Sequence, residues 1–221
     1  MAEDLLTDDE QWEAIKVWVR ENGIWMLGGV ALAFALLYGY RFYQGHRDTQ
    51  DLNAAAQFSL MTASIDANDR SAAKATAAAI VKNYPSSPYA DQAELMLARL
   101  AIDDGQDASA IEQLSLVMNN SKDSQLRHIA RLRLARVQID QGKPDDAIST
   151  LAAVAPGKFE SRYHEVHGDA LAAKKDVSGA IREYRAALTG SDQRSPDSAV
   201  LELKIADLGA TVNPPENKAK P

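Results

Sequence analysis

The sequence contains no cysteine, which excludes disulfides, thiolate nucleophiles and Cys-ligated metals. Aromatic residues make up only 6% of it. With alanine abundant, that scarcity points to closely packed helices rather than strands. Concentrated basic charge is missing as well, since the formal net charge is −7 over 221 residues. Seven acids (Glu3, Asp4, Asp8, Asp9, Glu10, Glu13, Glu21) against Lys16 and Arg20 give residues 1–40 a balance of −5, leaving −2 for residues 41–221. A nearly neutral body lacks the basic surface that nucleic acid requires, so no nucleic-acid partner is expected. No glycine-rich phosphate loop, G-x-S-x-G elbow or H-E-x-x-H pair occurs. Neither an enzyme nor a bound cofactor is expected.

Long apolar runs are absent with one exception, the uncharged stretch Asn22 to Tyr40 between Glu21 and Arg41. As a helix its 19 residues reach about 28 Å, close to the thickness of a bilayer's hydrocarbon core. A cleaved signal peptide would need a basic start and a small-x-small exit. Here the start is acidic and the exit reads Tyr38-Gly39-Tyr40-Arg41-Phe42-Tyr43. An uncleaved anchor over 22–43 is expected, with Trp25 at one membrane interface and Tyr38, Tyr40 and Arg41 at the other, in contact with the lipid bilayer. Thr7-Asp8-Asp9-Glu10 has the form of a capping box. Trp12, Ile15 and Val19 then recur at helical spacing, either as a short amphipathic helix within 1–21 or as an extension of the span. Lys16 and Arg20 on one side balance Arg41 and Arg47 on the other, so charge alone does not orient the span.

The rest of the chain repeats itself. Gln92 to Ser121, Ile129 to Gly157 and Arg162 to Ser191 superimpose. A small residue (Ala98, Ala135, Gly168) is followed twelve positions later by another (Ala110, Ala147, Ala180), with a turn residue between them at Gly105, Gly142 and Lys175. Leu114, Leu151 and Tyr184 lie four beyond the second small residue. Small side chains at a crossing let two antiparallel helices approach closely while bulky ones fill the space beside it. The pattern resembles the tetratricopeptide repeat, without its early Trp and late Pro. An upstream pair, Ala63 and Ala75, is read as a fourth unit ending at Tyr84-Pro85, and Pro196 to Leu208 as a capping helix. The expected architecture is all-α: one transmembrane helix, a degenerate tetratricopeptide-repeat solenoid over 44–208 with a C-terminal capping helix, and a disordered tail over 209–221.

Tetratricopeptide arrays bind proteins along a groove lined by the first helix of each pair. The resemblance places Arg99, Arg136 and Asp169 at equivalent groove positions, with Gln92, Arg162 and Glu165 on the same surface. Arginine forks there suit carboxylates or peptide carbonyls; ion pairing between neighbouring repeats is the alternative. His164 and His167, three apart, have the spacing of a metal pair. With no third ligand in view, they are read as packing residues and no metal is expected.

One anchor followed by a degenerate repeat array resembles the YfgM family of ancillary SecYEG translocon subunits. The local matches are Glu21-Asn22-Gly23, Leu132-Arg133-Leu134-Ala135-Arg136-Val137-Gln138, Gly168-Asp169-Ala170-Leu171 and Lys204-Ile205. The resemblance implies a bacterial inner-membrane protein with its N-terminus in the cytoplasm and its repeats in the periplasm. Its implied partners are SecYEG, the periplasmic chaperone PpiD and exported polypeptides. The expected function is a scaffold linking exported chains to such chaperones. The alternative is a membrane-tethered regulator that sequesters a signalling protein through the groove.

Overall fold

A computed structural model describes residues 8–189 and 197–211. Among these residues the chain forms no strand. Its helices are α1 (Asp8–Asp66), α2 (Arg70–Asn83), α3 (Pro88–Asp103), α4 (Asp107–Asn120), α5 (Ser124–Asp140), α6 (Pro144–Ala152), α7 (Glu160–Ala173), α8 (Val177–Thr189) and α9 (Ser198–Asp207), with a 3-10 turn at Gly157–Phe159. Thr7 of the expected capping box, Pro196 and residues 212–221 of the expected tail lie outside the described residues.

The chain divides into two units, Met1–Leu52 and Asn53–Pro221. In the first, α1 is the one helix among the described residues that is long and apolar enough to cross a membrane. Its apolar side chains are open on every face: Trp25 is 79% exposed, Tyr38 73% and Phe42 82%. A core helix of a soluble domain would bury one of those faces. Trp12, Ile15 and Val19 belong to the same unbroken helix, so the amphipathic stretch and the apolar run are one element.

The second unit is a stack of helix pairs: the last turns of α1 with α2, α3 with α4, α5 with α6, and α7 with α8, followed by α9. Each pair turns on a residue in the left-handed region. These are Asn68, Gly105, Gly142 and Lys175, with φ of 57°, 70°, 72° and 65°. At each, two backbone bonds close the preceding helix; Gly105 N–H reaches the Ile102 carbonyl at 3.0 Å and Gln106 N–H the Ala101 carbonyl at 2.8 Å. This arrangement satisfies carbonyls that a helix end otherwise leaves free. Gly209 (φ 77°) closes α9 in the same way, which gives α9 the register of a fifth first helix. Ala210 packs against the core beneath α9, and the Thr211 carbonyl accepts from Arg185 Nη2 at 2.6 Å. The three described residues of the expected tail therefore rest on the repeat domain.

The left-handed turn also fixes the register of the upstream pair, which differs from the sequence reading. Counting back seven from Asn68 gives Met61, and the second small residue is then Ala73; both are fully buried, as is Ala77. Ala63 and Ala75 are exposed. In this alanine-rich stretch several pairs share a twelve-residue spacing, and only the turn tells which one faces the core. In the other pairs Ala98, Ala110, Ala135, Ala147 and Ala180 are fully buried at the crossings.

Lys175 is the one turn residue of the three superimposed repeats that is not glycine. A side chain in this conformation costs about 1 kcal/mol, offset partly by the greater freedom glycine adds to the unfolded chain. Lys175→Gly is expected to raise stability by about 0.5 kcal/mol, measured by urea unfolding.

Candidate partner-binding groove

The first helices of successive pairs touch, α3 with α5 and α5 with α7, and among the described residues the second helices make no comparable contact. A stack that is tighter along one layer curves toward it. The first helices therefore line the inner face.

On that face the structure brings together four of the six residues expected to line a groove. Glu165 of α7 is the hub, with its side chain only 9% exposed. Arg136 of α5 reaches it at 3.3 Å, Arg162 at 3.8 Å and Lys204 of α9 at 3.2 Å. Lys204 also pairs with Asp169 at 2.7 Å, and the Tyr184 hydroxyl donates to the same carboxylate at 2.8 Å. Burial, then the Asp169 and Glu165 charges, push the Tyr184 phenol well above its ordinary range, so it remains a donor. The network spans α5, α7, α8 and α9 and fixes the end of the stack. Glu165 is poorly placed to serve a partner while three cations hold it.

The ring of Tyr184 lies across Gly168. A Cβ built on Gly168 would fall 2.6 Å from Tyr184 Cε1, closer than van der Waals contact permits. The position that holds Ala98 and Ala135 in the two preceding repeats is glycine here because the bulky residue of this pair is an aromatic ring.

The other two expected groove residues stand apart from this network. Gln92 donates at 3.5 Å to the Pro88 carbonyl of its own helix. Arg99 is exposed and has no acidic partner among the described residues. Next to it is a cation outside the expected six: Arg133 is exposed and donates to the Leu95 carbonyl at 3.4 Å. Burial, then the nearby charges of Arg99 and Arg136, lower its pKa from the usual guanidinium value. Three guanidinium groups thus crowd one stretch of the inner face, and among the described residues only Arg136 of the three pairs with a carboxylate. Lys204 was missed because α9 was read only as a cap. The 34-residue interval from Lys175 to Gly209 was the available signal that α9 continues the inner layer.

Away from the groove, His164 and His167 each bring Nδ1 to Glu183 Oε2, at 2.6 and 3.4 Å. Among the described residues no three His, Cys, Asp or Glu side chains form a group suited to a metal ion. The His128 ring stacks on Phe159 and its Nδ1 lies 2.7 Å from the Tyr163 hydroxyl. These histidines join neighbouring helices.

Glu94 on α3 sits in partial burial beside Asp91, and both effects, burial first, raise its pKa. A carboxyl with a raised folded-state pKa contributes most below its unfolded value, and that contribution is lost as pH rises through the folded value. Glu94→Gln is therefore expected to stabilise the fold at neutral pH by no more than about 0.5 kcal/mol, since the group is only partly buried and solvent screens its charge. The gain should vanish in acid, which parallel unfolding curves at several pH values would record.

The profile of a tetratricopeptide repeat-like domain matches residues 16–210. The chain belongs to the tetratricopeptide repeat-like domain family. No curated protein matches it. Domains of this family act through protein–protein contacts and are typically non-catalytic.

Proposed function

We propose that this tetratricopeptide repeat-like protein is a membrane-anchored scaffold that holds exported polypeptides near the SecYEG translocon, alongside a periplasmic chaperone of the PpiD type. The observation that carries this reading is that one unbroken helix, α1, contains both the apolar run and the first buried residues of the repeat array. Anchoring a groove to the membrane raises its effective concentration for chains emerging there, so modest affinity suffices. The sequence matches to the YfgM family supply the choice of channel and chaperone. The groove chemistry supplies the mode. Arg99, Arg133 and Arg136 would grip carboxylates and backbone carbonyls of an extended segment, while the Glu165 and Asp169 network keeps the far end rigid.

Two measurements test the reading in cells. With no native cysteine, Lys122→Cys in the exposed loop before α5 gives a single labelling site. It should react with a membrane-impermeant maleimide once the outer membrane is opened. Protection until the inner membrane is lysed would put the repeats in the cytoplasm and favour a tethered regulator instead. A photo-crosslinker at Arg99 is expected to capture the channel, the chaperone or an exported chain, and one at exposed Asn119 on α4 is not. Equal capture from both positions, or none from Arg99, would remove the groove from the proposal.

A further inference from the structure

The second helices of the pairs differ in length. Beyond their turn residues Asn68, Gly105 and Lys175, helices α2, α4 and α8 continue to Asn83, Asn120 and Thr189. Helix α6 stops at Ala152, only ten residues past Gly142. Pro156 follows shortly after, where a helical N–H would be needed. The residue twelve past the turn is a core residue in the longer pairs: Ile80 and Val117 are 0% exposed and Ala187 1%. Its counterpart here is Val154, 37% exposed. One apolar side chain has left its place in the core.

Phe159, after the short helix, packs into the core with Leu132, Ala147 and Leu151, and an open cavity of about 200 Å³ remains on the surface between α6 and α7. Its floor is Ile148, Leu151 and Tyr163, with Val154 and Pro156 on one side. The α7 wall is formed by Glu160, His164 and His167. These residues lie on a different face of α7 from Arg162, Glu165 and Asp169, so the cavity is separate from the groove. One carboxylate, Glu160, stands at its polar edge, and a second, Glu183, lies behind the two histidines. Glu160 is 68% exposed and 3.9 Å from His164 Nε2, and Glu183 holds both imidazoles. Among the described residues neither lysine nor arginine lines it, and Arg131 reaches it only through the Tyr163 hydroxyl on its floor. The cavity also sits at the C-terminal end of α6, where free carbonyls carry partial negative charge.

We propose that this cavity docks an extended partner segment through a leucine-sized or larger apolar side chain that is followed directly by a lysine or arginine. The apolar side chain enters the cavity between α6 and α7, against Ile148, Leu151 and Val154, and its basic neighbour meets Glu160 and the end of α6. The site adds a second point of attachment on another face of α7, and it stands whether or not the groove binds exported chains.

The test is methyl NMR on the full chain in detergent micelles, titrated with three capped tetrapeptides of central sequence Leu-Lys, Leu-Glu and Ala-Lys. The Leu-Lys peptide is expected to shift the methyl signals of Ile148, Leu151 and Val154 with low-millimolar affinity. The Leu-Glu peptide should bind about threefold more weakly, and Ala-Lys should leave these signals unmoved. Ala152→Leu, an exposed position on the rim, should fill the cavity and abolish the shifts without unfolding the domain. Glu160→Lys should reverse the charge preference. Absence of shifts with Leu-Lys, equal binding of the Lys and Glu peptides, or binding unaffected by Ala152→Leu would each overturn the proposal. Loss of the shifts in Arg99→Ala would do the same, because the peptide would then be held in the groove.

Discussion

Placing arginine at both Leu32 and Leu36 is expected to move most of the chain out of the membrane fraction. Each charge near the middle of a span costs about 3 kcal/mol of insertion free energy. Two together cost about 6 kcal/mol, more than one 19-residue run broken by glycines has to spare. Alternative rescue is limited. The run is short, so sliding it along its axis would bring Arg20 or Arg41 into the hydrocarbon, and α1 offers no second apolar stretch of that length. The measurement is alkaline carbonate extraction, with the wild-type chain expected in the pellet and the double variant in the supernatant. The repeat domain should stay folded in both, because Leu32 and Leu36 are exposed and lie outside the second unit. A wild-type chain released by carbonate would end the anchor reading and with it the proposed role at the translocon. A double variant that stays in the pellet would mean that something other than this run holds the protein there.

Gly168→Ala should destabilise the repeat domain by about 2 kcal/mol, although helix propensity alone favours the substitution by about 1 kcal/mol. The sign depends on whether Tyr184 can move. Its ring would lie 2.6 Å from the new methyl group, and the side chain is only 3% exposed. Its hydroxyl is held by Asp169 and its face by Lys204, whose Nζ lies 5.5 Å from the ring centre. Moving the ring would break the hydrogen bond and disturb the network that seats α9. For a chain of this size the loss corresponds to a fall in Tm of roughly 4–8 °C. Combining Gly168→Ala with Tyr184→Leu should cost less than the two single changes added together, because the clash disappears with the ring. A Gly168→Ala variant as stable as the wild type would show that the ring is not pinned, and that α9 is held more loosely than its ion pairs imply.

The all-helical architecture, the apolar run and the repeats were legible in the sequence because each rests on local rules. Length and hydropathy mark a candidate span. Small residues twelve apart with a turn between them mark a helix pair, and the buried alanines at the crossings of α3 to α8 follow from that spacing. The same rule misplaced the first pair by two residues. Ala63 and Ala75 satisfy the spacing as well as Met61 and Ala73 do, and only the left-handed turn at Asn68, with the neighbour packed against it, selects the buried set. The groove was legible as a set of positions, but its pairing was not. Glu165 meets Arg136 and Lys204 from residues 29 and 39 positions away, and whether a surface charge meets a partner or stays open depends on the angle at which one repeat stacks on the next. Sequence alone therefore determined that this chain is a helical repeat protein with one long apolar run. Tertiary structure decided which arginines remain open on the inner face, why glycine must stand at position 168, and where the short α6 leaves a cavity against α7, because each depends on how one helix packs on another.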